Sequence, residues 1–315
     1  MVGVMRQPLR RLRPAPVSTL IVACCVAVRG YAAPAPPAPP VEDALFEKLS
    51  ASISAVEARL DGVLGVAIKD LVTGRTIVRR GDVVFPQASS IKLALIYELY
   101  QQAGAGKIDL NAVRPLPRVR AGGSGVLPYL SDKAQLTVRD LAVLMMSLSD
   151  NAATNILIDE VTFASVNARM DALGLNKTRL RRHMIDLAAA RRGEENVSTP
   201  QEMLRLIEAI KRADGLAVPL ADDLRAVVGV PKETGFRDPL PQGLIVLDKP
   251  GSLEGVRTAT GMVVLKYRPY AAAIMTTALK NEADGENAIR EISRLVYETF
   301  GRLDRMSPEG RLLGR

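Results

Sequence analysis

A serine standing three residues ahead of a lysine is the first chemistry this chain offers. Ser89-Ser90-Ile91-Lys92 follows Phe85-Pro86 and opens an apolar run. Three residues make about one helical turn, so the Ser89 hydroxyl and the Lys92 amine share a face. A serine at a helix start also carries a backbone N–H suited to a developing oxyanion. A lysine desolvated beside it holds its proton less tightly and can take the proton of the hydroxyl, which gives nucleophilic catalysis without histidine. The spacing alone is common, and a capping serine beside a solvated lysine explains it as well.

Two further motifs follow in order. Ser149-Asp150-Asn151 lies between two strongly apolar stretches. Its hydroxyl and amide suit a proton relay to a leaving nitrogen and a grip on a substrate amide, or they form a plain helix cap. Lys249-Pro250-Gly251-Ser252 ends a strand-like run. A cation beside a backbone-lined edge strand suits a substrate carboxylate, the alternative being a turn before the next strand.

Other chemistries are excluded by counting. Both cysteines, Cys24 and Cys25, lie in the first 40 residues, and His183 is the single histidine. The remaining chain has no thiolate or His-cluster metal site, and no metal or organic cofactor is expected. Residues 1–40 hold five arginines and no acid, leaving +3 of the formal +8 charge to the rest. That remaining charge is scattered, so nucleic acid is not an expected partner.

The elements that must position these motifs can be outlined. An arginine-rich start, the apolar run Val17–Val28, Gly30-Tyr31-Ala32 and a proline stretch read as a signal peptide over 1–32 and a stiff linker over 33–41. Ile21-Val22-Ala23-Cys24 also reads as a lipoprotein box, with Cys24 carrying the lipid as the one membrane attachment. The body is therefore expected to be exported, periplasmic or secreted. Residues 42–60 have helical spacing, and Val63–Ile68 and Thr76–Val78 form a hairpin. A helix-rich middle includes Thr137–Ser147, Ala152–Glu160 and a helix opened by Ser198-Thr199-Pro200. Strand runs Leu244–Leu247, Gly261–Tyr267 and Tyr270–Thr277 precede a last helix over Glu286–Phe300. Strands at both ends with helices between predict an α+β (α/β) fold. One mixed sheet is faced by terminal helices, and an all-helical lobe is inserted. The sheet lobe is 42–88 with 229–302, the helical lobe 89–228, the catalytic domain 42–305 and the tail 306–315.

With the three motifs in this order and at these elements, residues 42–300 resemble the class A β-lactamase family and its relatives. Leu64-Gly65-Val66-Ala67, Phe85-Pro86 and Ser149-Asp150-Asn151-Ala152-Ala153-Thr154-Asn155 extend the likeness. The resemblance implies a two-lobed fold of the serine β-lactamase and DD-peptidase type, with an antiparallel sheet. It implies Ser89 as acylated nucleophile, Lys92 as its activating partner, Ser149 as proton shuttle and Lys249 as electrostatic anchor. Asn151 would contact a substrate amide and Arg257 a carboxylate. The N–H groups of Ser89 and Ser252 would form the oxyanion hole, and Gly251 and Ser252 would join the substrate-binding residues.

Two positions depart from that pattern. In class A enzymes the loop after the helical lobe reads Arg, any residue, Glu, two residues, Leu and Asn, and the glutamate activates the deacylating water. Aligned on Thr178-Arg179-Leu180, this chain reads Arg182-His183-Met184-Ile185-Asp186-Leu187-Ala188. Met184 cannot accept a proton. Asp186 is the nearest carboxylate and the candidate base, or else an ion-pair partner of Arg179, Arg181 or Arg182. Pro250 replaces the family's Thr or Ser, a loss that Ser252 or Thr258 would have to offset. The expected function is acyl transfer from β-lactams or related carboxylate-bearing amides and esters, with slow deacylation. An envelope D-alanyl peptidase or esterase, and a non-turning-over binder of β-lactams or peptidoglycan fragments, are the alternatives. A small-molecule substrate and a monomer are expected.

Overall fold

Helix α1 (Pro40–Arg59) buries Phe46, Leu49, Ile53 and Val56 along one stripe, the helical spacing its sequence predicts. It begins the main part of the chain that the computed structural model describes, residues 2–3 and 40–314. The expected leader and nearly all of the linker fall outside the described residues. Strands β1 (Val63–Asp70) and β2 (Thr76–Arg79) then make the expected hairpin.

The middle of the chain supplies β3 (Phe85–Pro86), α2 (Lys92–Gly104), β4 (Val113–Pro115), β5 (Gln135–Thr137), α3 (Val138–Ser147) and α4 (Asn151–Val161). It continues through α5 (Phe163–Ala172), α6 (Leu187–Arg191), β6 (Val197–Ser198), α7 (Pro200–Arg212) and α8 (Val218–Gly229). Thr137 and Asp140 close a capping box on α3, and Thr199 caps α7 with Pro200 in its first turn. β7 (Ile245–Leu253), β8 (Val256–Val264), β9 (Tyr270–Thr277) and α9 (Glu282–Leu303) complete the fold. Among the described residues no helix is long and apolar enough to cross a membrane.

The five strands β1, β2, β7, β8 and β9 form one sheet in the order β2-β1-β9-β8-β7, and every pairing is antiparallel. The mixed sheet read from element order is thus corrected, and the antiparallel one implied by the family resemblance is present. Two apolar cores flank it. Leu64, Val66, Ile68, Ile274, Val296 and Phe300 join the α1 stripe on one face. Ala67, Ala273 and Met275 join the helices of the middle on the other. Burial on both faces explains why β9 reads as a continuous apolar run rather than an alternating one. At Gly65 the sheet approaches β3 so closely that a Cβ would lie 2.5 Å from the Phe85 ring.

Three further expectations are revised. The inserted lobe is not all-helical: β3 pairs with β6, and β4 with β5. β7 continues through Lys249-Pro250-Gly251-Ser252 to Leu253, because a proline is tolerated in the outer strand of a sheet. β8 starts at Val256 rather than Gly261, since Thr258 and Thr260 are good strand residues despite their polarity.

Candidate active site

Pairing of Phe85 with Ser198 and of Pro86 with Val197 fixes the approach to Ser89. The chain then turns through Ala88, whose φ is +48°, into a 3-10 turn over Ala88–Ile91. The α-helix expected to open at the serine begins only at Lys92. Three residues per 3-10 turn eclipse positions 89 and 92, so the shared face survives that change.

Lys92 is wholly buried. Its Nζ donates to the Ser149 carbonyl at 2.7 Å and to Asn151 Oδ1 at 3.1 Å, and lies 3.0 Å from Ser149 Oγ. Asn151 Nδ2 donates to Gly122 O at 2.9 Å, which fixes the orientation of that amide. Two of the three partners are carbonyl oxygens, which only accept. A neutral amine has two N–H groups for them and a lone pair left for the Ser149 hydroxyl. Burial lowers the Lys92 pKa well below its ordinary value. The charge of Lys249 lowers it further, and Asp150 opposes the shift.

Lys249 reaches the same hydroxyl from β7. Its Nζ donates to Ser149 Oγ at 3.1 Å and to Pro250 O at 3.2 Å. Burial, and then the nearby Lys232 ammonium, push its pKa down to about 7 against the pull of Asp248. Ser149 therefore bridges two buried lysines from a left-handed backbone (φ +55°), a strained conformation for a residue with a side chain.

The cap reading of this motif holds for its middle residue. Asp150 is buried and accepts from Ala153 N at 2.9 Å, Val126 N at 2.7 Å and Leu127 N at 2.9 Å. One aspartate thus caps α4 and pins the Gly122-Gly123-Ser124-Gly125 connection beside the site. A Cβ on Gly125 would collide with the Asp150 carboxylate.

β7 is held against the 3-10 turn by Ser90, Gln87 and Thr258, of which the sequence marks only Thr258, and for a different role. Ser90 Oγ lies 3.0 Å from Lys249 O and 2.8 Å from Thr258 Oγ1, with one hydrogen to donate to either. Thr258 Oγ1 donates to Gln87 O at 3.1 Å. Thr258 is thereby committed to structure and does not offset the hydroxyl missing at Pro250. Gly251 sits in this seam, where a Cβ would lie 2.5 Å from Gln87 O and 2.9 Å from Ser90 N. Its role is close backbone approach. Ser252 is exposed, and its hydroxyl has no partner among the described residues. The second serine of Ser89-Ser90 was the one available signal for the seam.

Two candidate residues are not brought to this cluster. Arg257 precedes Thr258 on β8 and faces the opposite way, because successive strand residues alternate sides. It donates to Leu253 O and Val256 O at 2.8 Å each and pairs with Glu282 at the start of α9. Asp186 caps α6, accepting from Ala189 N at 2.9 Å, and that bond holds its carboxyl below the usual range. Among the described residues it has no ion pair with the arginines named for it. Arg179 pairs with Asp171 and Arg182 with Glu195.

The loop carrying Met184 is clamped from α4. Asn155 Oδ1 accepts from Met184 N at 2.8 Å, and Asn155 Nδ2 donates to Met184 O at 3.1 Å. The Met184 side chain is buried, whereas Ile185 is 46% exposed with φ +63°, unusual for a β-branched residue. A Cβ on Gly123 would touch both Ile185 Cδ1 and Asn151 Nδ2, so Ile185 forms an apolar wall beside Asn151. His183 is a loop side chain, 2.9 Å from Asp159 and edge-on to Phe163.

Comparison with known proteins agrees with this architecture. The model of the β-lactamase enzyme family matches residues 48–300. The carbapenem-hydrolyzing β-lactamase KPC of Klebsiella oxytoca is 27% identical over 278 residues, 82% of this chain and 91% of that protein. The β-lactamase structure from Sphaerobacter thermophilus superposes with a TM-score of 0.73 and 30% identity, covering 81% of this chain and 97% of that one. A second structure, a leucine-to-glutamate mutant of PBP-A as its acyl-enzyme complex with penicillin G, gives a TM-score of 0.74 and 26% identity, covering 81% and 97%.

Proposed function

Because the chain belongs to the β-lactamase enzyme family, we propose that it is a serine acyl-transfer hydrolase whose nucleophile is Ser89. Its substrates are β-lactams or related amides and esters bearing a carboxylate. The observation that carries this reading is the Ser149 hydroxyl held between Lys92 and Lys249. The neutral Lys92 amine, directly or through Ser149, takes the Ser89 hydroxyl proton as Oγ attacks the carbonyl carbon. The tetrahedral oxyanion is met by the N–H groups of Ser89 and Ser252. The C–N bond then breaks, Ser149 passes the proton to the leaving nitrogen, and the acyl group remains on Ser89. Lys249, charged, holds the substrate carboxylate.

Release of the acyl group is slow in this account. Water needs a base, and the stretch aligned with the family's loop glutamate offers the buried Met184 and the apolar Ile185. The penicillin acyl-enzyme of a PBP-A mutant supports the same acylation chemistry in a relative of this fold. The missing loop carboxylate also favours a second reading on the same nucleophile, an envelope D-alanyl peptidase or esterase. The arginine-apolar-small progression of residues 1–32 supports export under either reading. Peptide mapping after exposure to penicillin should place an adduct on Ser89 and none on the Ser89→Ala variant. An adduct elsewhere, or one that survives Ser89→Ala, overturns the proposal. Faster turnover of a small ester than of a cephalosporin would select the second reading.

A further inference from the structure

Behind the lysine of β7 lies a second buried lysine that the acyl-transfer chemistry does not itself use. Lys232, in the segment after α8, has a side chain only 5% exposed. Its Nζ donates to Val228 O at 3.0 Å and Asp248 O at 3.2 Å, and lies 3.3 Å from Asp248 Oδ1. Arg237 donates to that same Oδ1 at 2.6 Å, and Thr234 Oγ1 to Oδ2 at 3.1 Å. Asp248 is the residue next to Lys249, yet its carboxylate is spent on two other cations. Side chains of adjacent strand residues point to opposite faces, so Asp248 cannot turn to pair with Lys249.

We propose that Lys232 is a positioning residue for the acyl-transfer site: its buried ammonium, fixed on Asp248, neutralises the one carboxylate next to Lys249 and leaves Lys249 without a counter-ion. The charged groups around Lys249 are few. Lys92 faces it from α2, with Asp150 at the start of α4 acting on Lys92, while Lys232 and Arg237 lie on the segment between α8 and β7. Asp248 is on its own strand, and Arg257 of β8 is turned away to Glu282. The buried carboxylates Asp150 and Asp248 are each saturated, the first by backbone N–H groups and the second by cations. Cations outnumber carboxylates here, and burial lowers the pKa of Lys92, Lys232 and Lys249 alike, with Asp248 opposing the shift at Lys232. Burial and mutual repulsion favour loss of a proton from Lys92, which is the condition for it to act as base. Removal of the Lys232 charge should make Lys249 hold its proton to higher pH. Lys92, whose shift comes from burial, Lys249 and Asp150, should be little affected.

The inference rests on the proposed function for its catalytic meaning, and its test has a readout that needs no substrate. Lysine labelled with carbon-13 at Cε would be titrated by NMR in the full chain, with Lys249 assigned by loss of its signal in Lys249→Arg. The Lys249 midpoint should rise by about one pH unit in Lys232→Met and stay in place in Lys232→Arg. Lys232→Gln, which keeps a hydrogen-bonding group, should show the same rise and serves if the methionine variant does not fold. The alkaline limb of Ser89 acylation by penicillin should move upward in step, with the acid limb unmoved. A uniform drop in rate with no movement of the Lys249 midpoint overturns the inference. Movement of the midpoint without any Ser89 adduct sinks the proposed function and leaves the electrostatic role of Lys232 standing.

Discussion

Ser149 accepts from one buried lysine while it can donate to another, and that double use sets the residue-scale expectations. Ser149→Ala removes the hydroxyl that joins Lys92 and Lys249. Acylation of Ser89 by penicillin should fall by about 10²–10⁴-fold, the range for a lost proton-transfer group. Retention of near-full acylation would contradict the relay. Lys249 also links the site to stability. Its folded pKa of about 7 lies below the ordinary 10.5, so folding expels a proton between those values. Stability should rise as pH climbs through that window, with the full penalty present below pH 7. Chemical denaturation of Lys249→Met should show a flatter rise across that window than the unchanged protein, and an identical slope would refute the assignment. The two residues turned away from the cluster give the opposite expectation. Arg257→Ala and Asp186→Asn should leave the rates of adduct formation and clearance unchanged, because Arg257 is held by Glu282 and the turn carbonyls of Leu253 and Val256, and Asp186 by α6. A selective loss of acylation in the first, or of clearance in the second, would return them to the site.

At the scale of elements, the site depends on how closely β7 lies against the 3-10 turn of Ser89. Gly251→Ala would put a methyl 2.5 Å from Gln87 O and force strand and turn apart. Overpacking of this kind costs about 1–3 kcal/mol, and acylation should fall beyond what the lost stability explains. Normal acylation with unchanged melting would mean that the seam is looser than described. Much of this layout was legible in the chain. Helical spacing located α1, Thr199-Pro200 announced α7, and the three motifs marked the contributions of α2, α4 and β7 to the site. What escaped had specific causes. The edge position that lets β7 run through Pro250 is a tertiary fact with no local signal. Asn281 caps α9, which starts at Glu282 rather than the expected Glu286, and Gly285 inside the helix hid that start. The seam of Gln87, Ser90 and Thr258 joins positions up to 171 residues apart, so sequence proximity revealed only the first pair. Arg257 was misplaced because family position fixes a register on β8 but not which partner, here Glu282, claims the guanidinium.

Across the whole molecule, two cores share one antiparallel sheet, and the cluster forms where the second core ends against the outer strand. Lys92, Ser149 and Lys249 come from three distant parts of the chain, and their order along it was readable long before their contacts were. The loop of Met184 and Ile185 completes the cluster with apolar surface, clamped by Asn155. The proposed acylation chemistry thus lies beside a loop whose Met184 and Ile185 are apolar. The most direct measurement is intact-protein mass spectrometry after a pulse of penicillin and removal of the free drug. The account predicts one adduct on Ser89 whose population persists long after it has formed. Rapid clearance of that adduct, with regeneration of unmodified protein, would contradict it.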